Sequence, residues 1–219
     1  MDKLSLVAIL QAENKCGLAL DIDETLSATN VYWFTKLQEL FGNPESLTPK
    51  EMAMKYHYTQ NVPYWQTPQA LAWMKEQCNS DELQKNLSVI DGAVEYVSRV
   101  NEIIPIVAYI TARPTIVVPG TEYWLKVNNF PKAPVIAKPL DITEHFTSWK
   151  AEVLQSLYPW VLGIVDDHPG MVDQLPTDYH GTIFLITHQD HPRTDITVVC
   201  GMDWPKMYEQ IQKHNPLQQ

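Results

Sequence analysis

Apolar residues fall along this chain in two rhythms. Five short runs are almost continuously apolar and often β-branched: residues 17–20, 104–110, 133–137, 161–165 and 182–186. Runs of that length and composition read as strands buried on both faces. Between most of them, apolar positions recur at helical spacing. Ala93, Val94, Val97, Val100 and Ile104 make one stripe. Trp149, Val153 and Leu157 make a second, closed by Pro159, and Trp204, Met207, Tyr208 and Ile211 a third. This alternation predicts the α/β class: a doubly wound parallel sheet with helices on both faces and right-handed crossovers.

One stretch departs from the alternation. Residues 28–89 carry helical patterns only, such as Val31, Phe34, Leu37 and Phe41, then Leu71, Met74 and Cys78. A strandless stretch between the first and second strands predicts a small helical cap inserted after the first strand. Residues 1–27 and 90–219 are then the α/β core. The rival is an embellished crossover lying flat on the sheet. Trp33, Tyr56, Tyr58, Tyr64, Trp65 and Trp73 lie in the stretch. They serve either as the cap's own core or as a stacking surface for a base or apolar substrate group.

Composition narrows the class. The chain has 219 residues, enough for one core with a small insertion. Its formal net charge is −10, with no Lys/Arg-rich run, which disfavours a nucleic-acid partner. Cys16, Cys78 and Cys200 are far apart and outside any CxxC pattern, so free thiols in a reducing compartment are expected. No apolar run approaches the roughly 18 residues of a membrane span. The short apolar run Leu4 to Leu10 lacks the flanks of a signal peptide, and the expected location is cytoplasmic.

Polar residues at the ends of the apolar runs add chemistry. Asp21 and Asp23 follow the first predicted strand, Thr111 the second, Asp166 and Asp167 the fourth. In an open parallel sheet ligands bind outside the carboxyl ends of the strands, so these groups are expected on one edge. Four carboxylates in one crevice stay ionised when a hard cation neutralises them. Mg²⁺ suits such a site, because it takes a few carboxylates, keeps waters and bridges to phosphate oxygens.

Four segments then resemble the motifs of haloacid dehalogenase-like phosphatases. Leu20-Asp21-Ile22-Asp23-Glu24-Thr25-Leu26 matches their DxDxT opening, and Tyr109-Ile110-Thr111-Ala112-Arg113-Pro114 their strand ending in Thr or Ser. Lys150, 16 residues before Asp166, matches the third-motif lysine, and Ile164-Val165-Asp166-Asp167-His168-Pro169 the paired-aspartate fourth motif. The resemblance implies roles. Asp21 is the nucleophile that takes the phosphoryl group. Asp23 is general acid and then base, and its backbone carbonyl binds metal. Thr111, with nearby N–H groups of the Ala112-Arg113 stretch and of the following helix, for which Pro114 suits a first turn, holds phosphate. Lys150 neutralises the phosphate. Asp21, Asp23, Asp166 and Asp167 hold Mg²⁺, with Asp167 the preferred direct ligand of the last pair. An aspartate at position 23 favours a phosphatase or phosphomutase over a dehalogenase or a P-type pump.

Several residues keep two readings. Lys138 follows the third strand and rivals Lys150. Asp173 is either a water-mediated ligand or a solvated helix residue. His168 is either a pH sensor or substrate contact, or a structural loop residue braced by Pro169. Glu24 is a solvated residue beside the nucleophile. Arg113 binds substrate or makes a surface ion pair. Lys36, Lys50 and Lys55 are available by position as the Schiff-base lysine of a phosphonate-cleaving member. A looser likeness, carried by Thr111-Ala112-Arg113-Pro114, Thr121, Trp124-Leu125 and Asp166 to Pro169, links the chain to the phosphatase half of polynucleotide kinase-phosphatases. The expected activity is Mg²⁺-dependent hydrolysis of a small phosphorylated metabolite or nucleotide. The alternatives are a mutase or phosphotransferase, and a catalytically idle phosphate-ligand binding protein.

Overall fold

A computed structural model describes residues 1–218. Each of the five apolar runs overlaps a strand, and a sixth strand follows. They are β1 Gly17–Leu20, β2 Ile106–Pro114, β3 Val135–Lys138, β4 Val161–Asp166, β5 Thr182–Ile186 and β6 Thr197–Gly201. All pair in parallel, in the order β3-β2-β1-β4-β5-β6. The chain steps outward from β1 to β3, crosses back to β4, and steps outward the other way. The two winding directions part between β1 and β4, where Leu20 lies beside Val165. The crevice outside the carboxyl ends at such a point is where an open α/β sheet binds its ligand.

Ten helices connect and cover the sheet among the described residues. They are α1 Lys3–Ala12, α2 Thr29–Phe41, α3 Pro49–Tyr56, α4 Pro68–Cys78, α5 Asp81–Lys85, α6 Ala93–Ile103, α7 Val118–Val127, α8 Phe146–Leu157, α9 Pro169–Gln174 and α10 Trp204–Lys213. The side-chain alternation of β1 separates two cores. Leu18 and Leu20 pack with Val97, Val100, Trp124, Met207 and Ile211 of α6, α7 and α10. Ala19 packs with Leu6, Leu10, Leu154, Leu157 and Met171 of α1, α8 and α9. Strands covered on both faces must be apolar along their whole length, which is why they read as runs rather than as alternations. Each fully buried Leu contributes about 1.5–3 kcal/mol to this layering.

Three details depart from expectation. β2 extends through Pro114, so Thr111, Ala112 and Arg113 are strand residues and do not follow the strand. A 3₁₀ turn at Thr115–Val117 separates Pro114 from α7, and the first-turn proline is Pro119. β6 was not expected. It is a half-exposed edge strand whose apolar run, Val198 to Cys200, is short. The apolar run at residues 4–10 is part of α1. Asp2 caps that helix by accepting from the N–H groups of Leu4 and Ser5 at 3.0 Å each, and Leu6 and Leu10 bury against the sheet.

Between β1 and β2, helices α2, α3 and α4 share their own apolar cluster of Phe34, Leu37, Met52, Val62, Trp65, Ala70 and Met74. Trp65 Nε1 donates to the Gly42 carbonyl at 2.9 Å, and a Thr48/Glu51 capping box starts α3. Trp33, Tyr56, Tyr64 and Trp73 pack against the same cluster. After Cys78 the packing changes. Leu83 and Leu87 join the sheet's core, and Gly120 N–H donates to Asp81 Oδ1 at 2.5 Å. A Cβ at position 120 would lie 2.2 Å from the Asp81 carbonyl oxygen, so only glycine allows α5 this close to α7.

Candidate active site

The end of β1 turns inward. Asp21 N–H still donates to the Val165 carbonyl at 2.9 Å, which extends the β1–β4 ladder by one residue and fixes the Asp21 backbone over the switch point. Lys150 reaches this point from α8. Its Nζ lies 2.7 Å from Asp21 Oδ1 and 2.9 Å from Asp166 Oδ2, and all three side chains are buried. Asp166 ends β4, and its other oxygen accepts from His168 N–H at 2.8 Å. The rival Lys138 donates instead to the Ile142 carbonyl. Lys150, not Lys138, meets the expected nucleophile.

Asp21, Asp166 and Asp167 each offer a carboxylate oxygen, and these oxygens lie within 4.8 Å of one another. An all-oxygen, anionic donor set at a partly enclosed crevice fits a hard divalent cation such as Mg²⁺. The Asp23 side chain is not in this set, which leaves only its expected backbone role. Asp167 opens onto the cavity, whereas Asp166 is tied to Lys150 and His168. Asp173 lies outside the group. It is solvent-facing and approaches His191 Nε2 at 3.5 Å.

Asp23 turns toward β2. Arg113 Nε donates to its two oxygens at 3.1 and 3.0 Å, and Nη2 to Oδ1 at 2.7 Å. The rest of the guanidinium is also used: Nη1 donates to Thr121 Oγ1 at 3.2 Å and Nη2 to Ser27 Oγ at 2.9 Å. Thr29 Oγ1 adds a donor to Asp23 Oδ1 at 2.6 Å. Arg113 is 5% exposed. It makes no surface ion pair, and its N–H groups are directed at protein partners. Thr111 is buried, and its Oγ1 accepts from Arg113 N–H at 3.2 Å, which leaves its own hydroxyl free to donate.

Burial and charge set the protonation of these groups in opposite directions. Burial pushes the Asp21 carboxyl up to about 7, with Lys150 opposing and Asp166 and Asp23 assisting. Burial, Asp166 and Asp21 hold Asp167 well above the usual carboxylate range. For Asp23 burial also acts upward, but the Arg113 guanidinium outweighs it and holds the carboxyl low. Burial acts downward on the Lys150 ammonium, yet Asp166 and Asp21 keep it above its ordinary value.

A cavity of about 250 Å³ opens in front of Asp21, Asp23, Lys150 and Asp167. Ala112 lines it, while Thr111 and Arg113 stand behind. Glu24 also lines it and is not merely solvated: burial raises its carboxyl, and its Oε1 accepts from Asn30 N–H at 2.6 Å. His168 has two parts. Its Nδ1 caps α9 by accepting from Gly170 N–H at 3.1 Å, and its ring stacks on Tyr58 at 6.0 Å between centroids. Lys36, Lys50 and Lys55 are absent from the lining. Sequence reasoning missed Asn30, Gln60, Met74 and Phe146 in the lining, and Ser27 on Arg113. No spacing rule marks them, because they arrive from the helical segment and from loops.

Residues 77–164 match the family described as PITM 1-3, LNS2 domain. That stretch is under half of the chain; it includes Thr111, Arg113 and Lys150, but neither Asp21 and Asp23 nor Asp166 and Asp167. No curated protein matches the chain. Solved structures resemble it over nearly their whole length. A HAD-superfamily hydrolase from Ehrlichia chaffeensis is 13% identical with a TM-score of 0.51, over 91% of this chain and 98% of that one. A HAD family hydrolase from Deinococcus radiodurans R1, with bound phosphate and sodium, is 11% identical with a TM-score of 0.51, over 92% and 96%. A hydrolase from Pseudomonas syringae is 13% identical with a TM-score of 0.51, over 91% and 99%. Nothing in these similarities supports the looser likeness to polynucleotide kinase-phosphatases. A six-stranded parallel sheet with its carboxylates at the switch point, and neighbours of this kind over the whole length, mean that the chain has the haloacid dehalogenase-like fold.

Proposed function

We propose that this protein is a Mg²⁺-dependent phosphomonoester hydrolase that works through an aspartyl-phosphate on Asp21. The observation that carries the reading is the triad at the switch point: Asp21 paired with Lys150, which is itself shared with Asp166. The D. radiodurans neighbour, crystallised with phosphate, supports a phosphoryl group as the ligand of this fold. Asp21, Asp166 and Asp167 would hold Mg²⁺, with the Asp23 carbonyl. Bound there, the cation would neutralise the carboxylates and the charge on the transferring phosphoryl group.

The chain's own residues supply the rest. An Asp21 carboxylate oxygen attacks phosphorus, the bond from phosphorus to the ester oxygen breaks, and Asp23 gives that oxygen its proton. Water then attacks the phosphorus of the aspartyl-phosphate, Asp23 takes the water's proton, and Asp21 is regenerated with release of inorganic phosphate. Arg113 keeps Asp23 as a carboxylate at rest, which suits the second step. An arriving phosphate dianion favours its protonation for the first. Lys150 offsets charge on Asp21 and on the phosphate, and Thr111, behind the lining, steadies the end of β2 by accepting from Arg113 N–H.

The helices from 29 to 78 are the proposed cap, on the strength of their separate apolar cluster. No helix among the described residues is long and apolar enough to cross a membrane, and Cys16, Cys78 and Cys200 are unpaired. The cysteines support a cytoplasmic location, and the acidic charge supports a small substrate rather than a nucleic acid. The test is phosphate release from a panel of phosphomonoesters with Mg²⁺, with EDTA, and with Asp21→Asn. Release that needs Mg²⁺ and Asp21 supports the reading. Folded, Mg²⁺-loaded protein that releases nothing until a second acceptor is added would move it to a phosphotransferase.

A further inference from the structure

The cavity in front of Asp21 has a mixed wall. Its charged lining groups are Asp21, Asp23, Glu24 and Asp167, with Lys150 the only lysine or arginine among them. Lys150 is already shared by two carboxylates, and Arg113 is spent on Asp23. A phosphoryl dianion therefore meets its single cationic side chain at the base, and none remains for a second anionic group. The lining also carries aromatic and apolar side chains: Trp33 from α2, Tyr58 from the link after α3, Met74 from α4, and Phe146 from the start of α8.

These rings are held in place. Trp33 meets Trp73 edge to face at 5.6 Å. Phe146 meets the His168 ring edge to face at 5.0 Å, and His168 in turn stacks on Tyr58 with an interplanar angle of 24°. Tyr58 packs in neither the cap's own cluster nor the sheet's cores, and it is 45% exposed. Exposing a tyrosine at a cavity mouth forgoes its burial energy, which is recovered when a ligand covers it. Asn30 and Gln60 supply amide groups beside the rings. The cavity volume of about 250 Å³ lies just under the usual range for small-molecule pockets, which limits the leaving group to about one ring.

We infer that the substrate is a monophosphate ester whose leaving group is flat, uncharged and about one ring in size, and that Tyr58 is the residue that selects it. The inference rests on the hydrolase reading and narrows its substrate class. Sugar bisphosphates, phosphorylated carboxylic acids and diphosphates carry a second anion into an acidic, aromatic chamber and are poor substrates.

Three esters of similar intrinsic reactivity test this: benzyl phosphate, cyclohexylmethyl phosphate and 4-carboxybenzyl phosphate. Each is assayed for kcat/KM with Mg²⁺ on wild type, Tyr58→Ala and Tyr58→Phe. Ring-on-ring contact predicts that benzyl exceeds cyclohexylmethyl by roughly 3- to 10-fold. The added carboxylate is expected to lower kcat/KM by roughly 10-fold or more, since like charges repel strongly where water is excluded. Tyr58→Phe keeps the preference for the flat ring and Tyr58→Ala loses it, mainly through KM. Equal rates for the benzyl and 4-carboxybenzyl esters, or for the flat and puckered rings, overturn the inference while leaving the hydrolase reading intact. A preference that survives Tyr58→Ala overturns the role of Tyr58. Release from none of the three by protein that hydrolyses other phosphomonoesters overturns this inference alone; release from no phosphomonoester at all by folded, Mg²⁺-loaded protein overturns the hydrolase reading and this inference with it.

Discussion

At Lys150 one ammonium serves two carboxylates that would otherwise repel each other in a buried crevice. Removing it by Lys150→Met keeps the volume but leaves Asp21 and Asp166 uncompensated. Breaking a buried ion pair from one side costs about 3–5 kcal/mol. Urea unfolding is expected to show a loss of that size at pH 7.5 and a clearly smaller one at pH 5, where a proton can replace the ammonium. An equal loss at both values contradicts the assignment. Arg113 is tested differently. Arg113→Lys keeps the charge but cannot hold both oxygens of Asp23 in a fork. On the proposed mechanism, a loosely held Asp23 predicts a fall in kcat of roughly 100-fold with a smaller change in KM. Asp21, Asp23, Asp166 and Asp167 were legible in the sequence because strand ends in a parallel sheet converge. The Arg113–Asp23 pair was not. It depends on how the loop after β1 folds back over β2, and no spacing encodes that.

The elements that hold the site come from opposite ends of the chain. α10 is the last helix, yet Trp204 at its start donates from Nε1 to the Thr25 carbonyl at 2.8 Å, inside the loop that carries Asp21 and Asp23. Trp204→Phe keeps most of the packing and removes one buried hydrogen bond. It is expected to lower stability by about 1–3 kcal/mol, since the Thr25 carbonyl is left without that partner. Thermal unfolding checks this, and activity measured well below the midpoint should fall with it because the loop loosens. The stripes that predicted α6, α8 and α10 match helices whose apolar faces cover the sheet. β6 escaped notice for a physical reason: its faces are only partly covered, so a short apolar run, Val198 to Cys200, suffices. β2 ran on past its apolar run because Thr111 and Arg113 find polar partners inside the fold.

For the molecule as a whole, acidity and the proposed metal are linked. Asp21 rises to about 7 and Asp167 also rises, both chiefly through burial. A carboxyl whose folded pKa exceeds its unfolded value holds extra protons in the folded state between the two. The metal-free protein therefore loses stability as pH rises from roughly 4, the ordinary carboxylate value, to about 7. A divalent cation that takes the proton's place should restore it. The rise in Tm on adding Mg²⁺ is expected to be larger at pH 8 than at pH 5.5, and equal shifts would contradict a carboxylate metal site. The strandless stretch between β1 and β2 was legible, but its division was not: α2 to α4 pack among themselves, whereas α5 packs on the sheet. The central claim is that Asp21 itself takes the phosphoryl group. Its most direct test is an acid quench during turnover, followed by borohydride reduction and peptide mass analysis. An aspartyl-phosphate is reduced to homoserine, so the account predicts homoserine at position 21. Phosphate release during turnover with Asp21 always recovered as aspartate would contradict it.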